Sequence, residues 1–185
     1  MIEFASTAIR AKIDCNLPAN EGFLDFLGQI EPLTVFSGGQ VVDPDEVYFT
    51  LIPDESRRLR ELDFTDADIR EIANDTLELA TNKRGSEPLH LNTRKPFKIT
   101  GEAEDQLALR IEPRGWLVAA RAAVQGYYSE LYGETPQSLQ DNPYVLLGTV
   151  GKPTGFNKIH SDLQHPIARR IPLPLIMEIG DFEVR

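Results

Sequence analysis

Runs with a period of two, separated by runs with a helical period, constrain this chain more than any other feature. Ile9, Ala11, Ile13 and Cys15 alternate with other residues in AIRAKIDC, Val47, Phe49 and Leu51 in VYFTLI, and Leu107, Leu109 and Ile111 in LALRI. Such alternation sends successive side chains to opposite faces, so each run reads as a strand. NEGFLDFLGQI (20–30) instead spaces Phe23, Phe26, Leu27 and Ile30 for a helix, with Asn20 as cap and Gly28 keeping it short. LTVFSGG predicts a short strand turned at Gly38-Gly39, and a polar link follows Pro53. Thr65 or Asp66 starts the clearest helix, with Ile69, Ile72, Ala73, Thr76, Leu77 and Ala80 as its inner stripe. Residues 97–99 read as extended. A further helix places Trp116, Ala119, Ala120, Ala123, Val124, Tyr127 and Leu131 on its apolar face. NPYVLLGTVG is a strand opened by Tyr144, and the two prolines of IPLPLIMEIGDFEV predict an edge position for the last extended segment. The order predicts an α+β fold in a single domain over residues 1–185.

The 185 residues suffice for one domain with a real core. A net charge of −10 weighs against long nucleic acid, whose binding rests on neutralising phosphates, and less against a small nucleotide. No apolar run approaches the roughly 20 residues that span a bilayer, so no membrane partner is expected. MIEFASTAIRAKID lacks the basic start and apolar middle of a secretory signal, which predicts a cytoplasmic location. Cys15 is the only cysteine; no internal disulfide can form, and it reads as a small buried residue.

Several chemistries find no support. Neither Gly38-Gly39 nor GTVGKPTG (148–155) supplies a P-loop, and no serine nucleophile elbow occurs. His160, Asp162 and His165 could gather round a metal, but Pro166 breaks a regular helix there, and a loop is expected; no metal and no cofactor is implied. His90, His160 and His165 read as surface or loop histidines, and Lys95, Lys98 and Arg94 as a solvated strand edge. Lys152 and Lys158 follow the second tyrosine strand, where they would either attract an anion or remain solvated.

Tyr48 and Thr50 share one face of their strand, and Tyr144 opens another. With AIRAKIDCNLPANEGFLDFL before them and LPLIMEIGDFEV after, the layout resembles the two-histidine phosphoesterase superfamily, which includes 2'-5' RNA ligase-like proteins. The resemblance implies two-lobed antiparallel sheets with helices packed outside, and a cleft between the lobes. In that family each His-x-Thr/Ser strand supplies one proton-transfer group and one phosphate-holding hydroxyl. Here DEVYFTLIPDES stands at the first motif and NPYVLLGTVGKP at the second. Only Thr50 matches; Tyr48 and Tyr144 occupy the histidine positions and Leu146 the second hydroxyl position. A phenol with a pKa of about 10 is a weak base at neutral pH. The resemblance therefore implies a catalytically degenerate member, a pseudoenzyme that binds a nucleotide or other phosphorylated small molecule through Tyr48, Thr50, Tyr144 and Lys152. Two alternatives stand beside it: an active phosphodiesterase that recruits His90 or His160, and a structural or interaction domain whose tyrosines fill the former cleft. No particular protein partner is implied.

Overall fold

The computed structural model describes residues 4–164 and 174–185. Its strands are β1 (Ile9–Ile13), β2 (Tyr48–Ile52), β3 (Leu89–Leu91), β4 (Phe97–Ile99), β5 (Glu104–Arg110), β6 (Tyr144–Gly151), β7 (Leu175–Met177) and β8 (Ile179–Val184). The helices are α1 (Glu21–Phe36), α2 (Ser56–Glu61), α3 (Asp66–Lys83), α4 (Trp116–Tyr132) and α5 (Gly155–Gln164). Six strands make one antiparallel sheet in the order β4-β5-β6-β2-β1-β8, and β3 pairs with β7 in a second, two-stranded sheet. The last extended segment divides into β7 and β8; β8 is an edge strand of the large sheet but carries no proline, and Pro174 immediately precedes β7.

The alternating residues do what their spacing requires. Ile9, Ala11, Ile13, Phe49, Leu51, Leu107, Leu109, Val145 and Leu147 are buried on one face of the large sheet. They join α1, α3 and α4 in a single core cluster, through residues such as Phe23, Ile69 and Val124. The other face carries Arg10, Lys12, Tyr48, Thr50 and Tyr144, none of them buried. The sheet has two three-stranded halves, β4-β5-β6 and β2-β1-β8. They meet at β2 and β6, where Phe49 opposite Val145 is the one pair in register.

α3 begins as predicted. Thr65 and Asp68 form a reciprocal capping box, and Ile69, Ile72, Ala73, Thr76 and Ala80 are buried. α1 is longer than its sequence suggested, because Leu33–Phe36 is helical rather than a strand. Pro32 removes one backbone donor, but both Pro32 and Gly28 are exposed, so the freed Gly28 carbonyl can meet water. Burial of Thr34 secures the extra turn, and Gly38 at φ +81° ends it. Asn20 stands at the N-cap position of α1, but its side chain makes no capping hydrogen bond. It is buried, and its side chain clasps the chain before β8 instead: Nδ2 donates to Asp14 O and Glu178 O, and Oδ1 accepts from Glu178 N. The polar link after Pro53 contains α2, and His160, where a loop was expected, lies on α5. α4 turns its buried face one residue from the predicted stripe. Leu117, Ala120, Arg121, Val124 and Tyr128 are inside and Ala119 is outside, because the stripe was drawn without admitting an arginine.

Asp54, just after β2, anchors the chain start through four donors: the backbone N–H and hydroxyl of Thr7, and those of Ser56. Burial pushes its carboxyl up, but the donors from Thr7 and Ser56 outweigh it and hold the group below the usual carboxylate range. A depressed folded value stabilises the fold above the unfolded pKa of about 3.9, and this is lost as pH falls through the folded value. Asp54→Asn should remove about 1 kcal/mol at neutral pH and flatten the acid limb of a stability–pH curve below pH 4. An unchanged acid limb in urea titrations would assign that limb to other carboxylates.

Candidate functional site

The site is built on the seam between β2 and β6. Phe49 and Val145 face each other and are both buried, so Tyr48 and Thr50 on β2, and Tyr144 and Leu146 on β6, project to the face opposite that core. One antiparallel step from that pair sets Thr50 beside Tyr144, and the opposite step sets Tyr48 beside Leu146. The two tyrosines are diagonal neighbours on one face, roughly 7–8 Å apart at the backbone.

The neighbouring strands extend this into two rows. Arg110 of β5 is registered with Tyr144, and Arg10 of β1 with Thr50, so the first row reads Arg110, Tyr144, Thr50, Arg10, with Glu183 of β8 beyond. In the second row Ala108 is registered with Leu146, and Lys12 with Tyr48. No signal in the one-dimensional pattern marked Arg10, Lys12 or Arg110. Each occupies an outward position of a recognised strand, but only strand order brings them to the tyrosines.

Ring and cation contacts fix the side chains. Tyr144 is 36 % exposed and meets Phe97 edge to face, at 5.5 Å between centroids and 88° between planes. The Arg110 guanidinium lies 4.3 Å from the Phe97 ring centre, and that of Arg185 lies 5.0 Å from the Tyr48 ring centre. Arg185 is also paired with Glu183 at 3.0 Å. Arg10, Lys12 and Arg110 have no ion-pair partner among the described residues, and Arg10 Nε is buried without a hydrogen bond. Leu146 helps line an adjoining hollow of about 390 Å³, together with Gln106, Val42, Asp43 and Glu46.

The other sequence candidates lie elsewhere. Lys152 follows β6 and sits about 26 Å along the strand from Tyr144. Its Nζ donates to Gly101 O and lies 3.7 Å from Asp105 Oδ1, so it secures the β4–β5 turn and does not join the tyrosines. His90 is in β3, which runs beside the end of β5 where Leu91 bridges Ile111. Sheet geometry sets it about 12 Å from Tyr144, beyond direct proton transfer to the seam. Its Nδ1 is 3.1 Å from Arg114 Nη1. A guanidinium only donates, so Nδ1 accepts and the ring proton is on Nε2. His160 is on α5 with its ring 5.9 Å from that of Phe156, and Lys158 on the same helix faces the Phe36 ring. His165 lies outside the described residues. Among the described residues no group of three or more histidine, cysteine, aspartate or glutamate side chains is arranged to hold a metal. Cys15 is half-buried after β1 with its thiol toward Pro44 O; burial, then Asp45 and Asp14, push its pKa up, which opposes a nucleophilic role.

The arrangement can donate hydrogen bonds from hydroxyls, offer ring surface and present cations to an anion. Among the described residues it has no imidazole at the seam to move a proton. No protein-family model matches the chain, and no curated protein matches it. No helix among the described residues is long and apolar enough to cross a membrane.

Proposed function

We propose that the chain is a catalytically degenerate relative of the two-histidine phosphoesterases that binds a nucleotide or other phosphorylated small molecule on the seam face. One observation carries the reading: Tyr48, Thr50 and Tyr144 share a face, with Arg10, which has no ion-pair partner among the described residues, registered against Thr50. The two three-stranded halves stand for the two lobes, and the seam for the cleft. A phosphate at Thr50 would receive the threonine hydroxyl and the Arg10 fork, a charge-assisted pair suited to its geometry. Tyr144, with more than a third of its surface free, offers a ring to a base. The nearby hollow contains Asp43 and Glu46, which repel a phosphate, so the anion belongs on the arginine row.

The loss of catalysis follows from the same residues. Leu146 gives a phosphate nothing, and tyrosines stand where the resemblance calls for the imidazoles that move protons. A panel of nucleoside monophosphates and 2',3'-cyclic nucleotides tests this by thermal shift and by product analysis. Binding without product is expected. Arg10→Ala should weaken it at least tenfold and Thr50→Val several-fold, in line with charged and neutral hydrogen bonds. Turnover abolished by His90→Ala would replace this reading with the active phosphodiesterase. The absence of any ligand-induced shift would leave only a structural role.

A further inference from the structure

Helix α1 turns two helix-weakening residues to solvent. Gly28 and Pro32 are both exposed, and a Cβ added at Gly28 would meet nothing within 4 Å. The described residues of the chain leave a notch there. One turn beyond Pro32 stands Phe36, 85 % exposed, with Val35 61 % exposed beside it. Residues 28, 32 and 36 are four apart, so they form one ridge along the helix, and about 12 Å separates the notch from the protruding ring. Beside the ridge, Pro32, Leu33 and Phe36 face Asn157 and Lys158 of α5 across an open hollow of about 680 Å³.

The ridge itself is uncharged, and a charge of each sign stands near its two ends. Lys158 Nζ lies 5.9 Å from the centre of the Phe36 ring. Asp25, also exposed, sits one turn before Gly28. Neither has an ion-pair partner among the described residues.

From this arrangement we infer that α1 is the contact surface for a second copy of the chain. A two-fold axis at Pro32 lays the two helices antiparallel and sets each Phe36 ring in the notch over the partner's Gly28. The same rotation brings Lys158 of each copy to the partner's Asp25. Ring, notch, cation and carboxylate all belong to one chain, at positions that a single rotation exchanges, and this favours a like partner over an unlike one. The contact is isologous and closes at two copies. It places aromatic rings at the centre and charges at the rim, as interfaces generally do. α1 packs on the core side of the large sheet, so both seam faces stay open in the dimer. The inference is therefore independent of the phosphate-binding role. A net charge of −10 on each copy opposes association at low salt, so physiological ionic strength is the condition to measure.

Sedimentation equilibrium of the full chain, from about 1 to 500 μM, should show a monomer–dimer equilibrium with no larger species. Gly28→Gln fills the notch, and it should weaken the dimer by about tenfold or more. Glutamine is the better helix former, so the melting temperature at high dilution should not fall, which separates loss of the contact from loss of the fold. Phe36→Ser should weaken the dimer to a similar extent, again with the dilute melting temperature preserved, since that ring is exposed. Asp25→Lys and Lys158→Asp should each weaken it, and the two combined should restore it. A monomer at every concentration would overturn the inference, and a species larger than a dimer would overturn the two-fold closure. A dimer indifferent to both Gly28→Gln and Phe36→Ser would remove the contact from α1. Failure of the charge exchange to restore association would overturn the antiparallel register.

Discussion

Arg121→Met should destabilise the protein by about 3 kcal/mol and lower its melting temperature by roughly 6–12 °C. Arg121 is 8 % exposed on α4, and among the described residues no carboxylate lies within ion-pair distance of its guanidinium. Burial holds its pKa below the usual arginine value, only partly offset by Asp141. The guanidinium serves backbone instead. Nη1 donates to Leu51 O at 2.7 Å, and Nη2 donates to Leu139 O at 2.8 Å and to Asp141 O. Leu51 belongs to β2, and residues 139–141 lead into β6 at Tyr144. One buried side chain thus ties together the two strands that carry the tyrosines. Methionine keeps the stem but leaves Leu51 O and Asp141 O without the guanidinium, and Leu139 O with Gln125 Nε2 alone; each orphaned carbonyl costs about 1–3 kcal/mol where water cannot reach. Relief of the buried charge recovers part of this, which sets the estimate near the low end. Urea denaturation measures the effect, and a change under 1 kcal/mol would mean that water replaces the guanidinium. Arg121→Lys should fall between, since an ammonium cannot span three carbonyls with a planar fork.

Phe49→Ala should cost about 3–5 kcal/mol, the largest loss expected from a single side chain of the sheet. Phe49 is fully buried and forms the one registered pair across the seam, opposite Val145. Its removal opens a cavity where the halves of the sheet hold each other least. A functional consequence follows from the stability loss. A one-residue slip at this joint would turn Tyr48 and Thr50 inward, because side chains alternate with a period of two. Nucleotide binding should therefore weaken further than Arg10→Ala alone achieves, even under conditions where the variant stays folded. Phe49→Leu keeps most of the volume and should cost under 2 kcal/mol while retaining binding. Equal binding by wild type and Phe49→Ala would detach the site from the seam.

Tyr48 and Thr50 were legible as one face because the alternation of VYFTLI is local. The α3 start was legible for a similar reason, since Thr65 and Asp68 act within one turn. Residues 33–36 were misread because a short apolar run beside two glycines fits either element, and Gly28 argued for a helix that stopped before them. Only the burial of Thr34 decides the matter. Arg121 was invisible, because polarity in a helix pattern signals exposure unless carbonyls from elsewhere come to meet it.

The sequence by itself determined the secondary elements with strong periodicity, the shared side of Tyr48 and Thr50, and the tyrosines that open β2 and β6. These follow from residue chemistry and neighbours a few positions apart. Tertiary structure alone decided that β6 lies against β2, that Arg10 and Arg110 flank the tyrosines, and that Lys152 is committed to a distant turn. Backbone hydrogen bonds between strands carry no residue code, so partners about a hundred positions apart are chosen by how the whole core packs.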